Sequence, residues 1–397
     1  MTGAASRRGR AVAPAAEVAA AAGIGDDRRG EAMRSRRHLP SVLALLALAV
    51  GCGAPPERAR RPHVPVVSAP RAVAVPASRV EARIPTGARD VVSIVAAGGA
   101  VWVSSFDQRS LIEVDPRRNR VVNRLPVPGH PAQMLVYQGL LWALLPDEGL
   151  VAVVEPHARR IVRFIRSEPT CMTAMAFGEG ALWLTDDRVE WSASRRDPRT
   201  GATLQTLPTA RNWRCALAVA AGAVWAGTPG AVDRYDIEHN RLTARIHAGR
   251  DPLATLYAAG DELWTGNQDH GEMRRIDART GRVTGVYRFG GGSLAADGAD
   301  LWATSSLTTG EPEGTDPVLV RLDRRTDRVV ERLRVGRRAR RTSAPYPLCP
   351  ERTAAGACEH AGANVRSFAL SGVAVAFGSV WVGQDVEGRL YRIAKDR

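Results

Sequence analysis

The sequence lacks the short motifs that define several enzyme classes. It contains no HExxH zinc motif, no GxSxG nucleophile turn, no phosphate-binding P-loop and no CxxC pair. Metalloprotease, serine hydrolase and nucleotidase mechanisms therefore have no support in the sequence. Lysine is almost absent, because Lys395 is the only one and arginine supplies the rest of the 55 basic residues.

Long apolar runs and interleaved aromatic residues are also missing. The longest apolar run, 42–50, is shorter than the roughly 20 residues that cross a bilayer, so no permanent transmembrane helix is predicted. The net charge of +14 is compatible with nucleic-acid binding, but the basic run 337–341 (RRARR) carries no aromatic residue between its arginines. Stacking on bases needs such residues, so we expect no nucleic-acid partner.

The N-terminal region has the composition of an export signal. A basic segment, MRSRR, starts at Met33, the apolar run 42–50 follows, and Gly51 and Cys52 come next. The stretch 49–52 (AVGC) resembles the lipobox of bacterial lipoproteins, with Ala49 where leucine is usual. The resemblance implies that Cys52 is lipidated and that the protein is extracytoplasmic and membrane-anchored. The alternative is an ordinary secreted protein in which Cys52 is buried or paired.

Composition divides the chain into four segments. Residues 1–32 are Ala- and Arg-rich without periodicity, and we expect a mis-called start or a disordered leader. The other segments are a lipoprotein signal peptide, 33–51, a Pro-rich extended tether, 52–78, and a repeat domain, 79–397, which carries a loop insertion, 337–370.

The repeat domain is built on a period of about 40 residues. Each repeat has a glycine turn between two short apolar strands, a tryptophan in the second strand, a third strand that ends in an acid and a turn, and an outer fourth strand. The tryptophans are Trp102, Trp142, Trp183, Trp225, Trp264, Trp302 and Trp381. The pattern predicts an all-β, seven-bladed β-propeller of four-stranded blades.

The two ends of the domain predict how the ring closes. The seventh repeat stops after its third strand, whereas residues 79–90 (RVEARIPTGARD) match the fourth strand of the fourth repeat, 241–252 (RLTARIHAGRDP). We therefore expect the segment 79–84 to complete the C-terminal blade, so that no sheet edge is left between the chain ends.

Blade one, VWVSSFDQRSLIEVDPRRNRVVNRLPVPGHP, resembles the YVTN-type bacterial propeller repeats, with Trp102 in place of their tyrosine. The resemblance covers residues 79–397 and implies the fold and a class rich in binding proteins. The chain is also similar to virginiamycin B lyases, which are seven-bladed propellers, but the Glu that follows the aromatic residue in their repeats is absent. The leading hypothesis is a monomeric binding or scaffolding protein for an unknown protein, peptide or cell-envelope ligand.

Two sets of loops should open on one face of a propeller, and we expect ligands there. Acids and arginines in these loops could clamp an anionic or zwitterionic ligand, although polar loop tips are also simply solvated. The candidates are Arg89, Asp107, His130, Asp147, Asp186, Arg211, Trp213, Arg250, Asn267, Gln384 and Asp385. Arg109 is one of the further polar residues in the same loops.

A propeller enzyme with its active site at the channel mouth is the alternative hypothesis. His270 beside Asp269 is its acid–base candidate, because histidine titrates near neutrality and a carboxylate can orient it. We expect no metal site and no cofactor, and a divalent cation only if the protein is an enzyme. Recurrent acids at the end of the third strand, in contrast, are expected to accept backbone N–H bonds in turns. They are Asp115, Asp197, Asp236, Asp277 and Asp323.

Four cysteines remain after Cys52. In an oxidising compartment an even number favours disulfides. Cys349 and Cys358 lie in the same insertion, and Cys171 and Cys215 begin neighbouring inner strands, so these are the pairings we predict.

Overall fold

The computed structural model describes residues 64–68, 70–88, 91–167, 174–186, 192–208, 216–252, 255–267, 272–289, 291–305, 317–337, 370, 372–384 and 387–395. All of them belong to one compact unit, Arg60–Arg397. The predicted leader, 1–32, the predicted signal peptide, 33–51, Cys52, the first part of the predicted tether and nearly all of the insertion 337–370 lie outside the described residues. Their roles stay predictions.

The described chain begins with a strap that follows the outer rim of the ring. Its strands are β1 (Val66–Ser68) and β2 (Val73–Ala74), and a single 3-10 turn (Ala77–Arg79) leads from them into β3 (Val80–Pro85). The next 26 strands, together with β3, form the seven blades, here named in ring order. They are β4 (Val91–Ala97), β5 (Ala100–Ser105), β6 (Ser110–Asp115) and β7 (Arg120–Pro126) in blade 1; β8 (Gln133–Tyr137), β9 (Leu140–Leu145), β10 (Leu150–Glu155) and β11 (Arg160–Arg166) in blade 2; β12 (Met175–Gly178), β13 (Ala181–Asp186), β14 (Ser192–Arg196) and β15 (Thr203–Pro208) in blade 3; β16 (Leu217–Ala220), β17 (Ala223–Asp236) and β18 (Arg241–Pro252) in blade 4; β19 (Thr255–Ala259), β20 (Glu262–Asn267), β21 (Glu272–Asp277) and β22 (Val283–Arg288) in blade 5; β23 (Leu294–Asp297), β24 (Asp300–Ser305), β25 (Val318–Asp323) and β26 (Arg328–Arg334) in blade 6; and β27 (Val373–Ala376), β28 (Ser379–Gln384) and β29 (Arg389–Ala394) in blade 7.

The predicted all-β, seven-bladed propeller of four-stranded blades is confirmed. Within each blade neighbouring strands pair antiparallel, and they follow chain order except for β3 in blade 7. Blade 4 fits the same plan, because β17 is a long strand whose first part pairs with β16 and whose last part pairs with β18. Strand β3 pairs with β29 and supplies the fourth strand of blade 7, so the predicted closure of the ring is also confirmed.

The strap adds a fifth strand to each of two blades. Strand β1 pairs in parallel with β22 of blade 5, and β2 pairs in parallel with β26 of blade 6. An outer edge has unpaired backbone N–H and C=O groups that an extended chain can satisfy. The described part of the predicted tether 52–78 therefore follows the ring.

The seven tryptophans of the second strands form the layer between blades. Each is at most 1% exposed. In five blades the indole Nε1 donates to the carbonyl oxygen five residues earlier, at the end of the first strand; these residues are Trp102, Trp142, Trp183, Trp225 and Trp381. In six blades an arginine guanidinium also lies 5.1–5.9 Å from the ring centroid of a tryptophan. These six arginines cover the packed layer and therefore have a structural role.

The recurrent acids lie where the sequence places them, in the turns after the third strands. In each turn the Oδ1 atom accepts the backbone N–H of the residues two and three positions later, which confirms the predicted role of Asp115, Asp197, Asp236, Asp277 and Asp323. These backbone bonds are the largest cause that holds the pKa of each carboxyl below its ordinary value. The ionised carboxylate of each aspartate therefore stabilises its turn.

Polar side chains also join neighbouring blades. Between blades 5 and 6 the Tyr287 hydroxyl donates to Asp327 at 2.7 Å, and burial raises the pKa of this tyrosine well above its ordinary value. Arg275 donates to the same carboxylate at 2.9 Å. Between blades 1 and 2 the Ser93 hydroxyl accepts the Met134 N–H at 3.1 Å. Hydrogen bonds of this kind hold neighbouring blades together, in addition to the apolar packing between them.

Candidate functional site

Three loops meet on one face at the junction of blades 1 and 2. They are the turn between β5 and β6, the link between β7 and β8, and the turn between β9 and β10. We call this side of the ring the loop face, and we call Phe106, Arg109, His130 and Asp147, which the three loops bring together, the blade-1/2 cluster. Contacts among these residues support the expectation that the two sets of loops open on the same face.

His130 is the centre of the cluster. Its Nδ1 atom lies 2.6 Å from Oδ2 of Asp147, and its Nε2 atom lies 3.1 Å from Nε of Arg109. Because Nε of an arginine can only donate, Nε2 is the acceptor, and Nδ1 carries the proton that is donated to the carboxylate. The imidazole therefore separates Asp147 from Arg109 and is fixed on both sides.

Arg109 occupies a backbone position that favours glycine. Its φ is 49°, and the equivalent turn positions in blades 2 and 7 are Gly149, with φ 59°, and Gly388, with φ 61°. In blade 1 the carbonyl of Arg109 accepts the Val127 N–H at 2.9 Å, as the carbonyl of Gly149 accepts the Ser167 N–H at 2.8 Å. A residue with a Cβ pays about 1–2 kcal/mol in this conformation. Blade 1 therefore places an arginine at a position where the backbone disfavours one, and such outliers concentrate at functional sites.

Phe106 supports the cluster from the same turn. Its ring stacks on the imidazole of His130 with 4.6 Å between centroids and 24° between planes. Asp107, the next residue, is exposed, and its Oδ1 accepts the Ser105 hydroxyl at 2.8 Å. The result is a stacked phenyl and imidazole pair beside an exposed guanidinium.

Gln384, another predicted ligand residue, serves the junction between blades 6 and 7. It is fully buried, its Nε2 donates to the Arg337 carbonyl at 2.6 Å, and its Oε1 accepts the Glu387 N–H at 2.9 Å. Both ends of the Gln384 amide are thus hydrogen-bonded within the protein, and the geometry gives this side chain a structural role.

The remaining candidates fall outside what the structure describes. Asp186, Arg250 and Asn267 lie at strand ends in β13, β18 and β20, and their side chains are not among those described. Several other residues lie wholly outside the described ranges, so their predicted roles in ligand binding, catalysis and disulfide bonding stay predictions; they are Arg89, Arg211, Trp213, Asp385, Asp269, His270, Cys171, Cys215, Cys349 and Cys358.

Sequence reasoning proposed Arg109, His130 and Asp147 separately but missed their association, and it missed Phe106 altogether. A comparison of the aligned turns FDQR, 106–109, and PDEG, 146–149, contains the signal: arginine replaces glycine at the fourth position, and an aromatic residue replaces proline at the first. Both substitutions concern residues of the cluster.

The arrangement favours binding over catalysis. An Asp–His pair can act as a general base, but Nε2 of His130, the atom that would take a proton from a substrate, already accepts from Arg109. The pair therefore orients the guanidinium. No group of three or more His, Cys, Asp or Glu side chains that could hold a metal ion occurs among the described residues. In the same part of the chain, no helix is long and apolar enough to cross a membrane.

These features define a seven-bladed β-propeller with a polar cluster on its loop face. A chain in a crystal structure of the mitotic checkpoint complex is similar to this chain, with a TM-score of 0.58 and 13% sequence identity over 90% of this chain and 99% of that one. At this identity the likeness shows the fold alone. No protein-family model matches the sequence. No curated protein matches it either.

Proposed function

We propose that this protein is a lipid-anchored, extracytoplasmic propeller that binds a protein partner through its loop face. The observation that carries the proposal is the convergence of Phe106, Arg109, His130 and Asp147 from three separate loops. Arginine and aromatic residues dominate the binding energy of protein interfaces. The similar propeller chain belongs to a multiprotein complex, the mitotic checkpoint complex, which is compatible with protein binding by this fold.

Site-specific photocrosslinking in the native envelope tests the partner. A benzoylphenylalanine at Asp107, which is exposed beside the cluster, should crosslink to a defined protein. The matched control is the same residue at Arg117, which is exposed in the turn between β6 and β7 at the opposite end of blade 1. Equal crosslinking patterns at both positions, or none at Asp107, would contradict docking on the loop face.

Lipid anchoring and export are supported by the sequence around Cys52. The first described residue, Val64, is twelve residues further along, and an extended chain of that length reaches at most about 40 Å. The propeller would therefore stay close to the bilayer. In membrane fractionation, Cys52→Ser should move the protein from the membrane to the soluble fraction, and retention in the membrane would refute the anchor.

A further inference from the structure

We infer that Arg109 is the anchor of the loop face and that it binds a carboxylate in an acidic peptide segment of the partner. The inference rests on the proposed function, since it names the chemistry that the same surface recognises. It also assigns roles to the neighbours of Arg109: His130 and Asp147 position the guanidinium and do not touch the ligand.

The geometry of the guanidinium supports this assignment. Nε is engaged by His130, and within the described part of the chain Nη1 and Nη2 of this exposed side chain donate to no protein atom. These two nitrogens point the same way from the planar group, so they present two parallel donors. Two parallel N–H groups match the two oxygens of a carboxylate in a bidentate, charge-assisted pair.

The cluster also prepares Arg109 for binding. A free arginine loses much rotamer freedom when it is immobilised at an interface, and that loss weakens binding. Here the bond from Nε to His130 restricts the Arg109 side chain before the partner arrives, and His130 is itself held by its bond to Asp147 and its stack on Phe106. The left-handed backbone of Arg109 fixes the direction in which the side chain leaves the turn.

Charge selects the kind of anion. The cluster contains one arginine, and Asp147 contributes a negative charge on the far side of the imidazole. A phosphorylated side chain carries a charge of about −1.5 to −2, whereas a carboxylate carries one negative charge, which a single guanidinium balances. An acidic side chain of a peptide segment therefore fits the site better than a phosphate group.

Peptide selection on the full chain tests the inference. Random dodecapeptides are selected in two display formats, one with a blocked and one with a free C-terminus, so that side-chain and terminal carboxylates are distinguished. Binders of the wild-type chain should be enriched in aspartate or glutamate at one position in both formats, because a side-chain carboxylate does not depend on the state of the C-terminus. A synthetic binder should lose about 10- to 100-fold in affinity on Arg109→Gln, because a charge-assisted pair is lost, and less on Arg109→Lys.

Arg117→Gln is the matched control, because Arg117 is exposed at the other end of the same blade. It should leave the affinity unchanged. Selection without acidic preference, no selected peptide, or equal losses for Arg109→Gln and Arg117→Gln would overturn the inference. Crosslinking from Asp107 remains an independent test of docking, so the carboxylate assignment can fail while the proposed function stands.

The positioning role of His130 has a separate test. His130→Gln keeps an acceptor for Nε of Arg109, whereas His130→Phe removes it and preserves the aromatic stack. Affinity for the acidic peptide should fall for His130→Phe and be largely restored in His130→Gln, with both variants equally folded by tryptophan fluorescence. Equal affinity of the two variants would show that His130 does not orient Arg109.

Discussion

The guanidinium of Arg79 donates to the carboxylate of Glu331, and this ion pair lies where the two ends of the ring meet. Arg79 ends the turn that precedes β3, and Glu331 lies in β26 of blade 6. A second nitrogen of Arg79 donates to the carbonyl of Ala394 in β29 at 2.7 Å. One side chain thus joins the closing strand, blade 6 and blade 7.

Replacing Arg79 with methionine should weaken the closure. The side chains of Arg79 and Glu331 are 11% and 13% exposed, so Glu331 would keep its charge without its partner in a largely water-free position. We expect Arg79→Met to lower the free energy of unfolding by about 2–3 kcal/mol, measured by urea denaturation with tryptophan fluorescence.

Arg71→Met is the control for this change. Arg71 is exposed in the strap, and its replacement should alter stability by less than about 0.5 kcal/mol. If both variants unfold at the same urea concentration, the ion pair with Glu331 does not stabilise the closure.

A comparison of Trp225 with Trp302 can measure how much an indole hydrogen bond contributes to the free energy of unfolding. Both are fully buried, with an arginine 5.7 and 5.6 Å from their ring centroids. Nε1 of Trp225 donates to the Ala220 carbonyl at 3.1 Å, whereas Nε1 of Trp302 has no hydrogen-bond partner among the described residues. Trp225→Phe should therefore destabilise the fold by about 1 kcal/mol more than Trp302→Phe, measured by urea denaturation. An equal loss would show that cavity formation alone determines both effects.

The ring was predictable from the repeat, whereas the features that depart from the repeat were not. Seven equivalent tryptophans define the blades, and the match of residues 79–90 to 241–252 identifies β3. Local turn chemistry also places carboxylates such as Asp277 from sequence alone. These features depend on short-range patterns that recur.

Contacts between distant segments carry no such pattern. Strands β1 and β2 have three and two residues, and they pair with blades more than 200 residues further along the chain. Gln384 and His130 are both polar loop-end residues in the sequence, but only the folded chain shows that the first is buried and the second faces Arg109. The candidate site was therefore predictable as a face and not as a cluster.

The turns after the third strands should make stability fall in acid. Their aspartates have pKa values below the ordinary value of 3.8, because backbone N–H groups bond to the ionised form. Since the unfolded state binds protons first as the pH falls, this stabilisation is complete above about pH 4 and is lost as the pH drops through the lowered pKa values.

A variant with asparagine at all five positions tests the origin of the effect. Asparagine can still accept the N–H bonds but does not titrate, so the loss of stability between pH 5 and pH 2.5 should be smaller than in the wild type. The matched control replaces Asp107, which is exposed and lies outside these turns, with asparagine. An identical acid profile for the five-fold variant and the wild type would contradict the prediction.

The packing of Ala72 should hold the strap against the outer rim of the ring. It is buried between β1 and β2, where it packs in the apolar cluster of Trp264 and Tyr287. A glutamate at this position would bury an unpaired charge, and the strap can escape that penalty by leaving the rim. The Val286 N–H, which donates to the Pro65 carbonyl at 3.0 Å, would then lose its partner. We expect Ala72→Glu to accelerate hydrogen exchange of this amide by roughly tenfold or more, while the protection of the inner strands stays unchanged.

Arg71→Glu, one residue earlier and exposed, should leave the exchange of Val286 unaltered. Unchanged protection of Val286 in Ala72→Glu would mean that backbone pairing alone holds the strap, whereas loss of protection throughout blades 5 and 6 would mean that the strap is part of the core on which those blades depend.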